Sequence, residues 1–106
     1  MGSLEEHGVE ISHHFGGGVY AKETRIPAGK VLEQHRHPHD HLSILARGTA
    51  VVRVDGVGQL YRGPACVLIK AGKVHSVEAR TDVIWYCVHA TECTDPAQVD
   101  HELVED

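Results

Sequence analysis

Aromatic residues and cysteines are scarce in this 106-residue chain. It has one tryptophan, one phenylalanine, three tyrosines and three cysteines. The cysteines, Cys66, Cys87 and Cys93, cannot all pair within one chain, and none of their spacings is Cys-x-x-Cys. This pattern argues against a disulfide framework and favours a reducing compartment.

Long apolar runs and clusters of basic residues are also missing. No segment approaches the roughly 18 apolar residues that a membrane span needs, and residues 1–11 have neither the basic flank nor the apolar stretch of a signal peptide. The ten lysines and arginines are scattered in a chain of net charge -5, whereas phosphate binding depends on clustered positive charge. We therefore expect a cytoplasmic protein whose partners include neither nucleic acid nor a membrane.

Short β-branched or alternating runs fill the chain after the glycines at 16–18. Glycine, proline or aspartate separates these runs, and their starts recur about every 8 to 12 residues, which is typical of a β-sandwich or barrel. Residues 55–58 (Asp-Gly-Val-Gly) tolerate positive φ and predict a hairpin turn. The sequence thus predicts an all-β domain, with strands at 19–26, 30–35, 42–46, 50–55, 59–62, 66–70, 75–80 and 83–90.

Composition divides the chain into three parts. A polar N-terminal arm (1–18) precedes the β-barrel domain (19–90), and an acidic C-terminal tail (91–106) follows it. In the tail, Asp95 can cap a short helix with Pro96 in its first turn. The tail is interpreted either as a solvated end or as a segment that binds a partner.

Histidine is abundant, with ten residues, and four of them lie within seven positions. Pro38 interrupts any strand through this tract, because it fixes its own φ and has no N–H to donate. His35 and His37 then share one face of a strand, and His41 can meet them from the neighbouring strand. His39, at the tip of the turn, is expected to point to solvent.

Converging imidazoles indicate a metal site. Each ring brings two nitrogens that need partners, and imidazole is the commonest side-chain ligand of divalent first-row metals. The alternatives are an exposed histidine-rich loop or an isolated core histidine bonded to a carbonyl.

The spacing around the tract resembles the first motif of the cupin superfamily. The matching positions are Gly29, His35, His37, His41 and Gly48, with histidine at 41 where most cupins have glutamate. Residues 63–75 resemble the second cupin motif, and His75 stands at its histidine position. This second motif has one extra residue, Lys70 replaces the usual proline, and Ala79 stands for the usual asparagine.

The resemblance implies a double-stranded β-helix, or jelly roll, with a metal held by His35, His37, His41 and His75. It is strongest with small single-domain cupins that have an all-histidine site. The implied cofactor is a divalent transition metal, namely iron, manganese, nickel or zinc. Without the glutamate, a divalent site keeps a charge of +2, which favours an anionic ligand.

The resemblance leaves several functions open. We expect a metal-dependent oxidoreductase of the dioxygenase type acting on a small organic molecule, or a non-enzymatic module that binds a metal or small ligand. A closed structural zinc site is a further alternative. Small cupins resemble one another in forming dimers, so a homodimer is expected.

Other residues have a functional and a structural interpretation. Glu33 shares strand parity with His35 and His37, so it is a candidate catalytic proton carrier, against an ordinary solvated glutamate. Four ring residues are candidates for lining the pocket or for packing in the core: Tyr20, Trp85, Tyr86 and His89.

The remaining histidines and cysteines are given structural roles. Cys66 and Cys87 lie in apolar runs and are expected to be small buried hydrophobes. The histidines in the polar termini are expected to be exposed: His13, His14 and His101.

Overall fold

The structure, a computed structural model, describes residues 2–4, 8–34 and 39–91. Ten strands are found in this part of the chain. They are β1 (Gly2–Leu4), β2 (Glu10–Gly16), β3 (Val19–Ile26), β4 (Val31–Gln34), β5 (His41–Arg47), β6 (Thr49–Val54), β7 (Val57–Arg62), β8 (Ala65–Ile69), β9 (His75–Ala79) and β10 (Val83–Ala90). The helix predicted after Asp95 lies outside the described residues.

The strands form two antiparallel sheets. The larger sheet has the order β1-β2-β3-β10-β5-β8, and the smaller sheet has the order β4-β9-β6-β7. One continuous hydrophobic core joins the sheets, with Leu45 and Trp85 from the larger sheet and Val52 and Val77 from the smaller one. This arrangement is a double-sheet jelly roll, and it confirms the predicted fold class.

Strand β10 illustrates how alternating side chains in the sequence produce a strand with one buried face. Its side chains alternate between buried and half-buried positions along almost its whole length, as a strand with one face on a core requires. Trp85 and Cys87 lie on the inner face, which faces the other sheet, and Tyr86 lies on the outer face. Cys87 is buried as expected, whereas Cys66 occupies an outer position of β8 and is exposed, so its predicted burial is wrong.

The eight predicted strands are confirmed, and none of their ends within the described residues differs by more than two residues; residue 35, the predicted end of the second strand, lies outside the described residues. The predicted turn at 55–58 is shorter than expected, because Val54 pairs directly with Val57. Only Asp55 and Gly56 remain in the turn, with φ values of 49° and 82°. Positive φ at both central residues is the signature of a type I′ hairpin turn.

Strands β1 and β2 are not among the strands predicted from the sequence. Strand β2 pairs with β3 along its entire length, so the segment interpreted as a polar arm supplies a strand to the larger sheet. The alternation in β2 is hard to recognise, because the inner face holds the polar His13 between Ile11 and Phe15. His13 is consequently half-buried, contrary to expectation, while His14 on the outer face is exposed as expected.

Within the described part of the chain, no helix has the length and apolar character that crossing a membrane requires.

Candidate metal centre

His41 and His75 meet inside the barrel from opposite sheets. His41 is the first residue of β5, and His75 is the first residue of β9. Both are on the inner faces, with 4% and 2% of their surface exposed. Their ring centroids are 5.7 Å apart and their planes are tilted by 48°. The structure thus brings together two of the four histidines that the sequence assigned to a metal.

Two carboxylates and a turn hold the chain in place before these two histidines. The Asp40 side chain accepts a hydrogen bond from the Ala71 amide at 2.8 Å, which ties the start of β5 to the loop that leads to His75. Asp55 accepts one from the Val74 amide at 3.2 Å, and its own amide donates to the Val74 carbonyl. The residues next to both histidines are therefore held by hydrogen bonds between the two motifs and by the turn between β6 and β7.

The other two predicted ligands, His35 and His37, lie outside the described residues. Gln34, at the end of β4, pairs with His75 across the smaller sheet. The chain is described again at His39, two residues before His41. The described residue before 35–38 is thus paired with His75, and the described residues after 35–38 lead directly into His41.

Within the described part of the chain, no three histidine, cysteine, aspartate or glutamate side chains form a group that could hold a metal ion. A metal at His41 and His75 would therefore need donors from residues 35–38 or from a ligand.

His89 is a third buried histidine next to this pair. It lies on the inner face of β10 with 7% of its surface exposed, and its ring centroid is 4.5 Å from that of His41. The sequence named His89 only as a candidate for pocket lining or core packing. Of the other ring candidates, Tyr20 lies beside His89, Trp85 packs in the hydrophobic core, and Tyr86 lies on the outer face, away from the histidines.

Glu33 and His39 are both exposed. Glu33 pairs with Ser76, whereas Leu32 pairs with the buried Val77, so Glu33 is on the outer face of β4. The structure therefore places Glu33 on the opposite face of its sheet from His75. The exposure expected for His39 is confirmed.

The donor set at the pair fits a divalent transition metal. A buried environment favours the neutral form of an imidazole, which is the form that ligates metals. His41 and His75 are buried imidazoles that approach each other from two independent strands. Zinc, iron and nickel accept such nitrogen ligands, so the chemistry of the two histidines is compatible with the kind of site that the sequence predicts.

A second polar cluster lies on the outer face of the larger sheet, around the buried Glu23. Arg25 Nε donates to its carboxylate at 2.9 Å, His14 Nε2 lies 2.9 Å from it, and the Tyr86 hydroxyl donates to it at 3.1 Å. The hydrogen bond from Arg25, assisted by those from His14 and Tyr86, lowers the pKa of Glu23 below its ordinary value, against the opposing effect of burial. Burial and the negative charge of Glu23 raise the pKa of Tyr86.

The Glu23→Gln variant should have a lower free energy of unfolding than the wild type at neutral pH. That free energy should also fall less steeply as the pH is lowered. Because the folded-state pKa of Glu23 is lowered, its stabilising effect is present above the unfolded pKa and is lost as the pH falls through the folded pKa. Urea unfolding should show a loss of about 1–3 kcal/mol at pH 7, since three donors lose a charged acceptor. The difference from the wild type should shrink below about pH 4. The exposed Glu33→Gln variant is the control, and equal pH profiles for all three proteins would refute this role of Glu23.

Residues 22–89 match a family model described as a cupin domain. The match spans more than half of the 106 residues. The chain belongs to the cupin family.

Solved structures share this fold. KdgF from Halomonas sp. superposes with a TM-score of 0.75 at 14% identity, over 90% of this chain and 89% of that chain. An RmlC-like cupin from Shewanella frigidimarina gives a TM-score of 0.70 at 19% identity, over 89% and 87% of the two chains. A predicted oxalate decarboxylase from Thermotoga maritima gives 0.66 at 17% identity, over 76% and 77%. At these identities the similarity shows the fold alone. A search of curated protein sequences gives no significant match.

Proposed function

We propose that this protein is a metal-binding cupin in which His35, His37, His41 and His75 hold one divalent transition metal, either iron, manganese, nickel or zinc. The observation that carries the proposal is the burial of His41 and His75, which approach each other from opposite sheets. The position of Gln34 supports it as well, because this residue, which directly precedes the histidine tract, pairs with His75.

The proposed activity is that of an oxidoreductase of the dioxygenase type acting on a small organic molecule. When bound, the metal would act as a Lewis acid toward a chelating oxygen of that molecule. The protein's part is to hold four neutral imidazoles in a site closed to bulk water. Since neutral ligands leave the metal's charge of +2 uncompensated, the site favours an anionic ligand such as a carboxylate.

One structural neighbour is named for a small anionic substrate. The protein from Thermotoga maritima is described as a predicted oxalate decarboxylase, and oxalate is a small dicarboxylate. The alternative function is a non-enzymatic module that binds the metal and a small ligand with the same four histidines. Both functions need the metal site, and they differ in whether a bound ligand is converted.

Elemental analysis of protein purified without a nickel column tests the proposal. We expect close to one equivalent of a first-row metal per chain, or its uptake when iron, manganese, nickel or zinc is added to metal-free protein. Oxygen uptake with small carboxylates or diketones would support the oxidoreductase, and a ligand-induced change in the metal's spectrum without uptake would support the binding module. Absence of metal together with failure to take up any of the four would refute the site.

The partners proposed for the chain are this small molecule and a second copy of the chain. Leu42 and Leu68 pair directly across β5 and β8 on the outer face of the larger sheet, and both are exposed. Contiguous exposed apolar surface can mark a site of protein association. The homodimer stays a prediction.

A further inference from the structure

We propose that strand β2 positions the histidine site through a row of adjacent rings that ends at His41. The row consists of Phe15, Tyr20, His89 and His41, from the adjacent strands β2, β3, β10 and β5. The effect on metal binding rests on the proposed metal site. The contacts between the four rings do not depend on a metal.

The register of the sheet builds this row. Phe15 pairs with Tyr20, and Tyr20 pairs with His89, so the three rings stand side by side on the inner face. The Phe15 and Tyr20 rings are 5.0 Å apart at 23°, and the Tyr20 and His89 rings are 6.4 Å apart at 19°. The His89 and His41 rings follow at 4.5 Å and 32°. These separations are those of rings in contact.

His13 fixes the orientation of Tyr20. Its Nδ1 lies 2.7 Å from the Tyr20 hydroxyl, and the two rings stack at 5.7 Å and 18°. When Nδ1 carries no proton, the phenol donates to it. Tyr20 has only 1% of its surface exposed. Its ring is therefore held at its hydroxyl by His13 and along its face by Phe15, both from β2.

Close packing transmits this constraint to the site. Protein interiors are packed as densely as organic crystals, so a ring that tilts displaces the ring next to it. His89 lies between Tyr20 and His41, and a change in the orientation of Tyr20 therefore reaches a proposed metal ligand after one intervening ring. His13, Phe15 and Tyr20 are thus positioning residues, which act on the metal through His89 and His41.

The three positioning residues, His13, Phe15 and Tyr20, lie before residue 22, where the match to the family model begins. The proposed positioning is thus supplied by a part of the chain outside the matched family region.

The chain offers a matched control residue for His13 and another for Tyr20. His13 and His14 are neighbours on β2 that face opposite sides of the sheet, and His14 contacts Glu23 on the outer face. Likewise, Tyr20 and Tyr86 each place a hydroxyl in a hydrogen bond, one on the inner face and one on the outer face. The test pair is His13→Gln and Tyr20→Phe, and the control pair is His14→Gln and Tyr86→Phe.

The first measurement is the visible absorption spectrum of each variant titrated with Co²⁺. The test pair should shift the cobalt bands and weaken cobalt binding by roughly 10-fold, since removing groups that orient metal ligands costs about 10–100-fold in affinity. The control pair should leave the bands and the affinity unchanged, even where it lowers stability. If the wild type binds cobalt, equal spectra and affinities in all five proteins would overturn the inference.

The second measurement uses metal-free protein, so it does not depend on the proposed function. The carbon-bound ring protons of His41 and His89 are followed by NMR. We expect both resonances to shift in His13→Gln and Tyr20→Phe and to stay in place in His14→Gln and Tyr86→Phe. If the wild type binds no cobalt but these shifts occur, the metal site fails and the positioning stands. If the ring resonances do not move in either test variant, the positioning is refuted. Should Tyr20→Phe not fold, the half-buried His13→Gln decides.

Discussion

The His75→Gln variant should bind Zn²⁺ at least about 100-fold more weakly than the wild type. Loss of a group that only supports a ligand already costs about 10–100-fold in metal affinity, and His75 is proposed as a ligand itself. Glutamine keeps a polar side chain of similar length at a position with 2% exposure, so the variant should leave the barrel folded. Isothermal titration of metal-free protein measures the affinity, and circular dichroism checks the fold.

Thermodynamic linkage gives the same prediction an independent readout. A metal that binds only the folded state at 100 times its Kd adds about 2.7 kcal/mol to the free energy of unfolding. At the same free zinc concentration, a variant that binds 100-fold more weakly should gain only about 0.4 kcal/mol. Urea unfolding with and without zinc measures both values.

His39→Gln is the matched control for His75→Gln. His39 belongs to the histidine-rich tract that contains the other three proposed ligands, but it is exposed, so its removal should leave the zinc affinity and the zinc-dependent stability unchanged. Equal losses of affinity in the two variants would mean that the tract binds metal as an exposed loop, contrary to the proposed site.

The Gly48→Ala variant should lose about 3–5 kcal/mol of stability, more than a change in backbone strain alone can cause. Gly48 ends the turn between β5 and β6 with φ at 96°, where an L-residue pays about 1–2 kcal/mol. A Cβ on Gly48 would also overlap the carbonyl oxygen of Asp82 and lie 2.9 Å from Thr81 Oγ1. The loop before β10 blocks that space, and the Thr49 amide holds it by donating to Thr81 Oγ1 at 3.0 Å.

Gly56→Ala separates the cost of backbone strain at positive φ from the cost of atomic overlap by the added Cβ. Gly56 has a similar φ of 82°, but no atom beyond its chain neighbours lies within 4 Å of an added Cβ. Urea unfolding should therefore give a loss of about 1–2 kcal/mol for Gly56→Ala and a clearly larger one for Gly48→Ala. Similar losses in both variants would show that the loop yields to the methyl group.

The strands could be predicted where the sequence alternates cleanly. Strand β10 has apolar residues at successive inner positions and was predicted with its observed bounds. Strand β2 was missed because a histidine that bonds to a buried tyrosine occupies its inner face, and single-sequence patterns do not show that partner. Tertiary pairing with β3 determines this strand more than its own residues do.

The site was also predictable only in part, because a single sequence does not show which face of a strand turns inward. The motif resemblance named His41 and His75, and the structure places them together. The position of Glu33 was inferred by counting from His35 and His37, whereas the observed inner position in β4 is Leu32. His89 belongs to neither cupin motif, yet it continues the series of inner positions in β10 that includes Trp85 and Cys87. That alternation was the available signal that it faces the same interior as His41.

The most direct test is a crystal structure of the protein with its metal, with anomalous scattering recorded at the absorption edge of that metal. The account predicts one anomalous peak inside the barrel, within about 2.0–2.3 Å of ring nitrogens of His41 and His75. Nitrogens of His35 and His37 should lie at the same distance from that peak. A peak only at exposed histidines such as His39 or His14, with none between the two sheets, would contradict it.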